Sequence, residues 1–492
     1  MNPFSQLYGR SMALLTDLYQ LTMAYGYWKL GLANREAVFQ LSFRKQPFAG
    51  GFSIACGLQY VTGFLESLQF TDDDVTYLAG LKGNDGRALF EAAFLQMLRS
   101  MEFECDIDAM PEGTVVFPHE PLLRVTGPIL QCQILETPLL NMVNFQTLIA
   151  TKAARVCLAA QGDAVLEFGL RRAQGVDGAL AASRAAYVGG CAATSNVMAG
   201  RLFDIPVRGT HAHSWVMLFD DETEAFESYA SVMPNNCVFL VDTFDTLEGV
   251  RAAAHVGQTL KQRGHKMVGV RLDSGDLAYL SIEARRILDE SGLQDAVIIA
   301  SNDLDEQIIS SVKQQGATVA VWGVGTKLIT AHDQPAIGGV YKLAAVKNSD
   351  GVWQDKVKLS EQSLKVSIPG MLQVRRYHEA DAHLADMIYD ERSPPSGETT
   401  IVDPLDATRR KTFAADRPWD DLLVPVFRHG KQVYDQPSLP TIRRRTTDQL
   451  GRFHEGARRL VNPHQYPVGI EASLHETRTR LIMEARDRTR RK

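Results

Sequence analysis

The residues best suited to chemistry lie in one short segment, Gly209–Ser214, which reads Gly-Thr-His-Ala-His-Ser. It follows a strand-like run at 205–208. On a strand, residues i and i+2 share a face, so we expect the imidazoles of His211 and His213 to point the same way. A neutral imidazole can act as a nucleophile, transfer protons or ligate a metal ion. The segment therefore indicates a catalytic or metal-binding site, and two hydrogen-bonded histidines at a strand end are the non-catalytic alternative.

The elements that would hold this segment are strands that alternate with helices. From about Cys157 to Val346, nearly continuous apolar runs are followed by amphipathic helical patterns, which is typical of parallel strands covered by helices. Strands are predicted at Ala164–Phe168, Ala185–Gly189, Ile205–Gly209, Cys237–Asp242, Lys266–Leu272, Ala296–Ser301, Thr318–Gly323 and Gly339–Val346. Helices are predicted at Glu222–Met233, Leu247–Arg263, Asp276–Glu290 and Asp305–Gln315, with N-caps at Asp245, Ser274 and Asp303. Seven or eight such units favour a parallel α/β barrel over an open doubly wound sheet, and no GxGxxG motif follows the first strand.

The segments on either side of the barrel have different patterns. Residues 1–150 read as α+β, with a helix over Leu14–Trp28 and strands over Val38–Phe43 and Val115–Val125. The barrel is assigned to residues 151–346. Residues 347–492 contain turn-rich segments and terminal helices, and we expect this C-terminal extension to pack on the other two domains. Its basic tail, Arg478–Lys492, is interpreted as a solvated helix face.

Composition limits the possible partners of the chain. The formal net charge of −6 argues against nucleic-acid binding. No apolar run approaches the roughly 20 residues that span a membrane, and Met1–Arg10 lacks the apolar core of an export signal. The six cysteines are scattered without a CxxC pair, so we expect buried free thiols rather than disulfides. These properties predict a cytoplasmic enzyme that acts on small molecules.

The predicted C-terminal strand ends, where a parallel barrel carries its chemistry, are polar and rich in glycine. They include Phe168, Arg171, Asp273, Ser274, Gly275, Asn302, Gly323, Gly325 and Thr326. Their cations, suited to an anionic substrate, are Arg171, Arg172, Arg271 and Lys327. The turn Gly323–Thr326 would let backbone N–H groups approach a phosphate, and Asp273 and Asp276 could hold ribose hydroxyls or Mg²⁺. The ends together predict a phosphate-handling site.

Five segments resemble, in order and wording, the motifs of nicotinate phosphoribosyltransferases. They are Leu15–Met23, Glu167–Arg172, Gly209–Ser214, Val270–Asp276 and Gly323–Thr326. The resemblance implies an α/β fold in which an N-terminal α+β domain joins an irregular parallel α/β barrel, in a homodimer with shared active sites. It implies transfer of phosphoribose from phosphoribosyl pyrophosphate to nicotinate, giving nicotinate mononucleotide and pyrophosphate in NAD salvage. ATP is implied as a co-substrate, and Mg²⁺ as the ion that accompanies both phosphate substrates.

The resemblance also implies roles for single residues. His213 matches the histidine that ATP phosphorylates transiently, and Tyr19 matches an aromatic residue that reaches the pyridine ring from the partner subunit. Thr210 and Arg271 match contacts to nicotinate. Ring-stacking and phosphate positions are matched by Phe168, Arg171, Gly323, Gly325 and Thr326, and further substrate contacts are expected from Asp273, Ser274, Gly275 and Asn302. The metal ligands and the role of His211 stay open, and we expect loss of His211 to be milder than loss of His213.

Four other functions fit the sequence less well than nicotinate phosphoribosyl transfer. Relatives that use nicotinamide carry an acidic residue on the second barrel strand, whereas the stretch 193–196 has none. Quinolinate would need several more cations and would leave His213 without a purpose. A zinc hydrolase would need further His, Lys or Asp ligands at later strand ends, where the chain supplies Arg, Asp, Asn and Thr but no His. A non-catalytic phosphate-binding protein would not need the reactive histidine.

Overall fold

The structure is a computed structural model that describes residues 8, 11–362 and 366–490. The expectation made for Met1–Arg10 falls, apart from Tyr8, outside the described residues. Two compact units are present. One contains Met1–Leu148 together with Ala336–Lys492, and the other contains Ile149–Pro335.

The strands are numbered in chain order. They are β1 Glu36–Phe43, β2 Ser53–Ile54, β3 Asp106–Ala109, β4 Val115–Val116, β5 Leu123–Pro128, β6 Ala164–Glu167, β7 Ala193–Thr194, β8 Val238–Leu240, β9 Gly269–Leu272, β10 Val297–Ala300, β11 Val321–Val324, β12 Gly339–Lys347, β13 Trp353–Asp355, β14 Leu372–Glu379, β15 Ala382–Asp390, β16 Thr399–Val402, β17 Arg410–Phe413, β18 Trp419–Asp421, β19 Val424–Arg428, β20 Lys431–Gln432 and β21 Val468–Glu471.

The helices lie between and after these strands. The α-helices are Leu18–Lys29, Leu58–Glu66, Asp72–Ala79, Ala92–Arg99, Ile129–Ile134, Glu136–Ala160, Gly175–Val188, Val197–Phe203, His213–Val216, Glu222–Val232, Thr246–Gln262, Leu277–Glu290, Glu306–Gln314, Thr326–Ile329, Leu439–Arg452 and Ala472–Arg490. Short 3₁₀ helices occur at Pro47–Ala49, Leu170–Arg172 and Glu455–Arg458. In the part of the chain that the structure describes, none of the helices combines the length and apolar character needed to cross a bilayer.

The unit 149–335 is built around a six-stranded parallel sheet in the order β7-β6-β11-β10-β9-β8. Its central strands are apolar and largely buried, because helices cover strands of this kind. The predicted parallel α/β class is confirmed. Among the described residues, β7 and β8, the two ends of the order, are not paired with each other.

Three of the predicted strands are wrong in place or partner. Ala185–Gly189 belongs to the helix Gly175–Val188, because its run of buried alanines has high helix propensity and a short buried run has no diagnostic period. The segment predicted as Ile205–Gly209 forms only one parallel bridge, from Val207 to Thr194. The predicted last barrel strand, β12, instead belongs to the same unit as β1 and pairs antiparallel with it. A strand's apolar pattern does not identify its partner.

Two of the three predicted N-caps are also displaced. Asp245 caps the helix Thr246–Gln262 as predicted, accepting a hydrogen bond from the backbone of Glu248. Ser274 and Asp303 were predicted as caps, but Asp276 and Asp305 cap those helices. Each accepts two backbone N–H groups of the first turn, which satisfies donors that the helix leaves unpaired.

The other unit contains two larger sheets. A seven-stranded sheet has the order β13-β12-β1-β5-β3-β19-β20, and a six-stranded sheet has the order β17-β16-β21-β15-β14-β18. In the second sheet, the buried Arg376 donates to both carboxylate oxygens of Asp386. The seven-stranded sheet therefore combines strands from both ends of the chain. All six cysteines are free thiols, as predicted, and five of them are buried.

The C-terminal helix Ala472–Arg490 is not a fully solvated face. Arg478 is 7% exposed, and its guanidinium donates to the carbonyl oxygens of Val366, Ser367 and Pro404. The solvated interpretation is therefore wrong at Arg478, because carbonyl oxygens from two loops provide the partners that a buried guanidinium requires.

Candidate active site

Arg271, at the end of β9, connects three neighbouring polar residues. Its Nη1 donates to Thr210 Oγ1 at 2.9 Å, its Nε to Ser301 Oγ at 2.8 Å, and its Nη2 to Asp273 Oδ1 at 2.8 Å. The side chain is 13% exposed. Three of the five guanidinium N–H groups are bonded to these neighbours. The positive charge of Arg271 stays partly exposed at the strand ends.

Asp273 is held in its ionised form. Burial would raise the pKa of Asp273, but hydrogen bonds from Ser301 and Arg271, together with the charge of Arg271, hold that pKa below its ordinary value of 3.8. Its Oδ1 accepts from Arg271 and from the Ser301 hydroxyl. Oδ2 lies 3.9 Å from His213 Nε2. Asp273 is therefore bonded to the arginine and lies near the histidine.

His213 begins the helix His213–Val216, and its ring lies between hydroxyl and carboxylate groups. Nδ1 is 3.1 Å from Thr243 Oγ1, and Nε2 is 3.9–4.0 Å from oxygens of Asp273 and Asp242. The side chain is 40% exposed, so a substrate can reach it. A ring oriented at one nitrogen and accessible at the other can act as a nucleophile, and the two carboxylates would stabilise a positive charge on it.

Asp242 is a functional candidate that received no role from the sequence. Its side chain is 1% exposed, and its Oδ2 accepts from the backbone of Asp273 at 2.9 Å and from the hydroxyl of Ser274 at 2.6 Å. Oδ1, which faces His213, has no hydrogen-bond partner among the described residues. The available signal was an acidic residue after the apolar run 237–241. Ser301 also received no role from the sequence, and it follows β10 as Asp242 follows β8.

His211 does not share a face with His213, so the prediction for the pair is wrong. The segment 209–212 is not a strand, and the two rings lie in different surroundings. His211 is 7% exposed and accepts a hydrogen bond at Nε2 from the backbone of Leu240, 3.2 Å away. Burial lowers the pKa of His211 to about 4, so its ring is neutral at physiological pH. His211 is therefore buried and bonded to Leu240, whereas the ring of His213 is accessible.

Phe168 packs directly on β11. Its backbone N–H donates to Val324 O at 2.8 Å, and a Cβ added to Gly323 would lie 2.7 Å from the phenyl ring. Glycine at 323 is therefore what lets the half-buried ring cross this strand. Gly325 precedes the short helix Thr326–Ile329, and a Cβ added there would lie 3.3 Å from the carbonyl oxygen of Phe168. The structure thus brings Phe168 together with the predicted phosphate turn.

Glu167, which precedes this ring, is fully buried and fully engaged. Its Oε1 accepts from the backbone of Gly169, and its Oε2 accepts from Ser183 Oγ at 2.8 Å and Thr194 Oγ1 at 2.6 Å. Asn196 extends the cluster by donating to Ser183 Oγ at 3.2 Å. The carboxylate therefore ties β6, β7 and the helix Gly175–Val188 together and has a structural role.

The remaining predicted residues differ in placement. Lys327 was predicted as a substrate cation, but its ammonium is bound to Asp305 Oδ2 at 2.7 Å, and Asp276 caps a helix. Arg171 and Arg172 lie exposed on the 3₁₀ helix Leu170–Arg172. Positive φ angles occur at Gly275 (78°) and, unusually for a non-glycine residue, at Asn302 (109°). Tyr19 lies in the other unit and is 47% exposed, so it is not a core residue.

The zinc alternative has no support from the arrangement of side chains. Residues 8, 11–362 and 366–490 contain no group of three His, Cys, Asp or Glu side chains placed to hold a metal ion. The Nε2 of His211 is already occupied by Leu240. Mg²⁺ usually binds through one or two carboxylates together with substrate phosphates. The unpartnered oxygen of Asp242 and the ionised Asp273 fit that second pattern.

Three family models match successive parts of the chain. The nicotinate phosphoribosyltransferase N-terminal domain matches residues 14–144, the nicotinate phosphoribosyltransferase family matches residues 164–365, and the C-terminal domain matches residues 373–478. Nicotinate phosphoribosyltransferase of Bacillus subtilis is 42% identical over 97% of this chain and 96% of its own length. The Homo sapiens enzyme of the same name is 36% identical, over 94% and 95%.

The fold has a close counterpart among solved structures. The crystal structure of human nicotinic acid phosphoribosyltransferase superposes with a TM-score of 0.82 at 34% identity, covering 95% of this chain and 99% of that one. Likeness over nearly the full length, in sequence and in fold, exceeds what a shared fold alone would give. The chain is an enzyme and belongs to the nicotinate phosphoribosyltransferase family.

Proposed function

We propose that this enzyme transfers the phosphoribosyl group of phosphoribosyl pyrophosphate to the ring nitrogen of nicotinate. The products are nicotinate mononucleotide and pyrophosphate, which places the reaction in NAD salvage. The proposal rests on family membership across nearly the whole chain. The structural observation that carries it is Arg271, a cation oriented by Thr210, Ser301 and Asp273 at the strand ends.

Substrate choice follows from the charges near this arginine. Arg271 and the hydroxyl of Thr210 would bind the pyridine carboxylate, while Phe168 stacks against the ring. A nicotinamide site needs a carboxylate that accepts from the amide. The nearby acid, Glu167, already accepts three hydrogen bonds, and β7 offers only Thr194 and the adjoining Ser195 and Asn196. This environment favours the acid over the amide and gives a dicarboxylate such as quinolinate too few cations.

In the transfer step, the nitrogen lone pair of nicotinate forms a bond to ribose C1 as the bond from C1 to the pyrophosphate oxygen breaks. Positive charge develops on the ribose, and the pyrophosphate leaves with the bond electrons. Residues that hold the two reactants in line supply much of the rate enhancement. Asp273, Ser274, Gly275 and Asn302 would hold the ribose, and Arg171, Gly323, Gly325 and Thr326 the phosphates. Mg²⁺ bound with Asp273 and Asp242 would neutralise phosphate charge.

ATP is proposed to drive the cycle through His213. A neutral imidazole can attack the γ-phosphate of ATP, forming an N–P bond while the bond to the ADP oxygen breaks. The phosphoryl group would add roughly −1.5 to −2 charge beside Asp242 and Asp273 if it behaves as other phosphoresidues do. That charge would favour Mg²⁺, and the ion would in turn favour phosphoribosyl pyrophosphate, so hydrolysis of phosphohistidine would later release pyrophosphate.

The test of this role is labelling with γ-³²P ATP. We expect acid-labile, base-stable label at His213, and we expect His213→Ala and His213→Asn to lose nicotinate-dependent ATP hydrolysis while keeping a slow transfer that ATP does not stimulate. Label or ATP stimulation that persists in His213→Ala would contradict the assignment.

At the level of the whole protein, we propose that the parallel sheet of the unit 149–335 completes the irregular barrel expected of the family, and that the chain works as a cytoplasmic homodimer. Tyr19 would then serve the active site of the partner subunit, for which its exposure makes it available. The separation into domains at 1–150, 151–346 and 347–492 stays a prediction.

A product assay tests the reaction itself. The purified protein is mixed with phosphoribosyl pyrophosphate and Mg²⁺ and supplied in turn with nicotinate, nicotinamide or quinolinate, with and without ATP. Of the three pyridine compounds, we expect only nicotinate to be converted. Its product is nicotinate mononucleotide, formed at a rate that ATP increases. Equal turnover of nicotinamide, or release of CO₂ from quinolinate, would overturn the proposal.

A further inference from the structure

The imidazole of His211 fills an aromatic pocket beside β8. Its ring centroid lies 5.0 Å from that of Tyr229, 6.0 Å from Phe226 and 6.3 Å from Phe239. Its one hydrogen bond to another element is accepted at Nε2 from the backbone N–H of Leu240, at 3.2 Å. Because that partner is a donor, Nε2 carries no proton and the neutral ring has its hydrogen on Nδ1.

This bond lies at the place where the strand order of the sheet ends. β8 pairs with β9 on one side. At the opposite end of the order, Pro206 and Arg208 attach to β7 through two backbone hydrogen bonds to Thr194, each of 3.0 Å. The chain that follows Arg208 therefore runs from one end of the strand order to the other. It is attached to β8 by the imidazole of His211 and not by a strand ladder.

The two residues on either side of this attachment are the predicted active-site residues. Thr210 donates its hydroxyl to His211 O at 3.0 Å and accepts from Arg271 at 2.9 Å. His213 follows after one residue and is oriented by Thr243. A shift of His211 would therefore move the arginine's partner and the reactive imidazole together.

We infer that His211 is a positioning residue for phosphoribosyl transfer, acting as a neutral hydrogen-bond acceptor that attaches the segment Thr210–His213 to Leu240. In this role it would act through Thr210 and His213 and not by direct contact with a substrate. Its proposed effect on nicotinate binding depends on the function proposed above, whereas its attachment to Leu240 does not. A flat, neutral ring suits an aromatic pocket, and its distal nitrogen supplies the acceptor that the buried N–H of Leu240 needs.

The distance to Leu240 gives the kinetic test its design. In His211→Gln the amide oxygen can take the place of Nε2, in His211→Asn the shorter side chain cannot reach it, and in His211→Leu no acceptor remains. A buried N–H without a partner is unfavourable enough to shift an equilibrium about tenfold or more. We expect His211→Asn and His211→Leu to raise KM for nicotinate about tenfold, with a smaller effect on kcat, and His211→Gln to restore most of the loss.

A matched core variant separates positioning from general destabilisation. Val256→Ala removes buried methyl groups from the helix Thr246–Gln262, and it should lower the melting temperature without changing KM for nicotinate. Unchanged kinetics in His211→Leu, or equal losses in His211→Gln and His211→Leu, would overturn the inference.

The tautomer of His211 provides a readout that needs no activity. Long-range ¹H–¹⁵N NMR spectra of the enzyme with labelled histidines should show one ring with its proton on Nδ1 that does not titrate between pH 8 and pH 5.5, and this signal should vanish in His211→Leu. If the signal that is lost in His211→Leu comes from a ring protonated at Nε2, or from one that titrates in that interval, the attachment to Leu240 is overturned. Failure of nicotinate turnover with the expected tautomer present would count against the proposed function alone.

Discussion

Arg271 shows how much of this active site depends on single side chains. Its guanidinium is shared among Thr210, Ser301 and Asp273, so it positions a hydroxyl and a carboxylate and keeps a partly exposed positive charge. Lysine could supply the charge but not three directed bonds from one planar group. At this scale the chemistry is set by which hydrogen bonds are satisfied and which remain available.

Replacement of Arg271 should weaken nicotinate binding selectively. Truncating one partner of a buried, hydrogen-bonded charge pair costs about 2–5 kcal/mol, so we expect Arg271→Ala to raise KM for nicotinate about thirtyfold or more. Arg271→Lys should fall between this variant and the wild type, because it retains the charge. Steady-state kinetics with each substrate varied, together with melting curves, make the measurement. A KM for nicotinate that stays at the wild-type value in Arg271→Ala would contradict the assignment.

Glu222 should make stability depend on pH. Burial raises the pKa of Glu222 to about 7 from the ordinary 4.5, and the charges of Asp245 and Asp242 add to the effect. Between these pH values the folded protein holds a proton that the unfolded chain has lost. The stabilisation is therefore complete below pH 4.5 and is lost as the pH rises through 7.

The measurement compares Glu222→Gln, which cannot ionise, with the wild type. We expect the melting temperature of the variant, relative to the wild type, to increase from pH 4.5 to pH 7 and then level off. Glu224→Gln, on the exposed face of the same helix, serves as the matched control. A constant difference between Glu222→Gln and the wild type over this interval would show that folding does not raise the pKa of Glu222.

At the scale of elements, the site is made where parallel strands end and helices or turns begin. β9 ends at Arg271 and Leu272, β10 is followed by Ser301, and β11 ends beside Phe168. Because all these strands run in the same direction, their ends meet at one edge of the sheet. Residues far apart in sequence are brought together by strand order alone.

The close contact between β11 and Phe168 can be tested with one methyl group. A Cβ at position 323 would lie 2.7–2.9 Å from the ring of Phe168, so Gly323→Ala must displace the ring. Overpacking of this kind costs typically about 1–3 kcal/mol, and we expect KM for nicotinate to rise about tenfold. Gly209→Ala is the control, because its added Cβ would lie more than 4 Å from every described heavy atom outside residues 208–210. Equal kinetics for the two variants would exclude a role for the position of Phe168.

At the scale of the whole molecule, the proposed residues fall in two units. Tyr19 lies in the unit that contains both ends of the chain, and His213 and Arg271 lie in the unit 149–335. The first unit joins N-terminal and C-terminal strands in one sheet, with β12 paired to β1 and β19 paired to β3. Whether Tyr19 serves a site in its own chain or in a partner subunit is a question for experiment.

Mixing Tyr19→Ala with His213→Ala, two variants expected to lack ATP-stimulated transfer, tests where Tyr19 acts. If Tyr19 acts in the barrel of the partner subunit, a dimer of one Tyr19→Ala chain and one His213→Ala chain has one intact site. Random exchange at equal amounts should then restore at most about a quarter of wild-type activity, because half of the dimers are mixed. Activity is measured after subunit exchange has been demonstrated by a tag on one variant. No recovery despite exchange would indicate that Tyr19 acts within its own chain.

Much of this protein could be predicted from local patterns. Apolar runs alternating with amphipathic helices indicated the parallel sheet, and motifs at the strand ends indicated the family, because both signals depend on neighbouring residues. Phe168, Thr210, Asp273 and Arg271 were assigned to the site from position along the chain, and the structure brings the last three into one hydrogen-bonded group.

Other features were decided only by tertiary structure. The spacing of His211 and His213 indicates a shared face only if the segment is a strand, and its conformation is instead fixed by Leu240 and an aromatic pocket from distant parts of the chain. Ala185 and Ala186 lie in the helix Gly175–Val188, where neighbouring elements bury their side chains. β12 pairs with β1 because backbone pairing depends on which strand edge is available. The sequence by itself determined which residues are present at each strand end. The packing of remote elements determined which histidine is accessible.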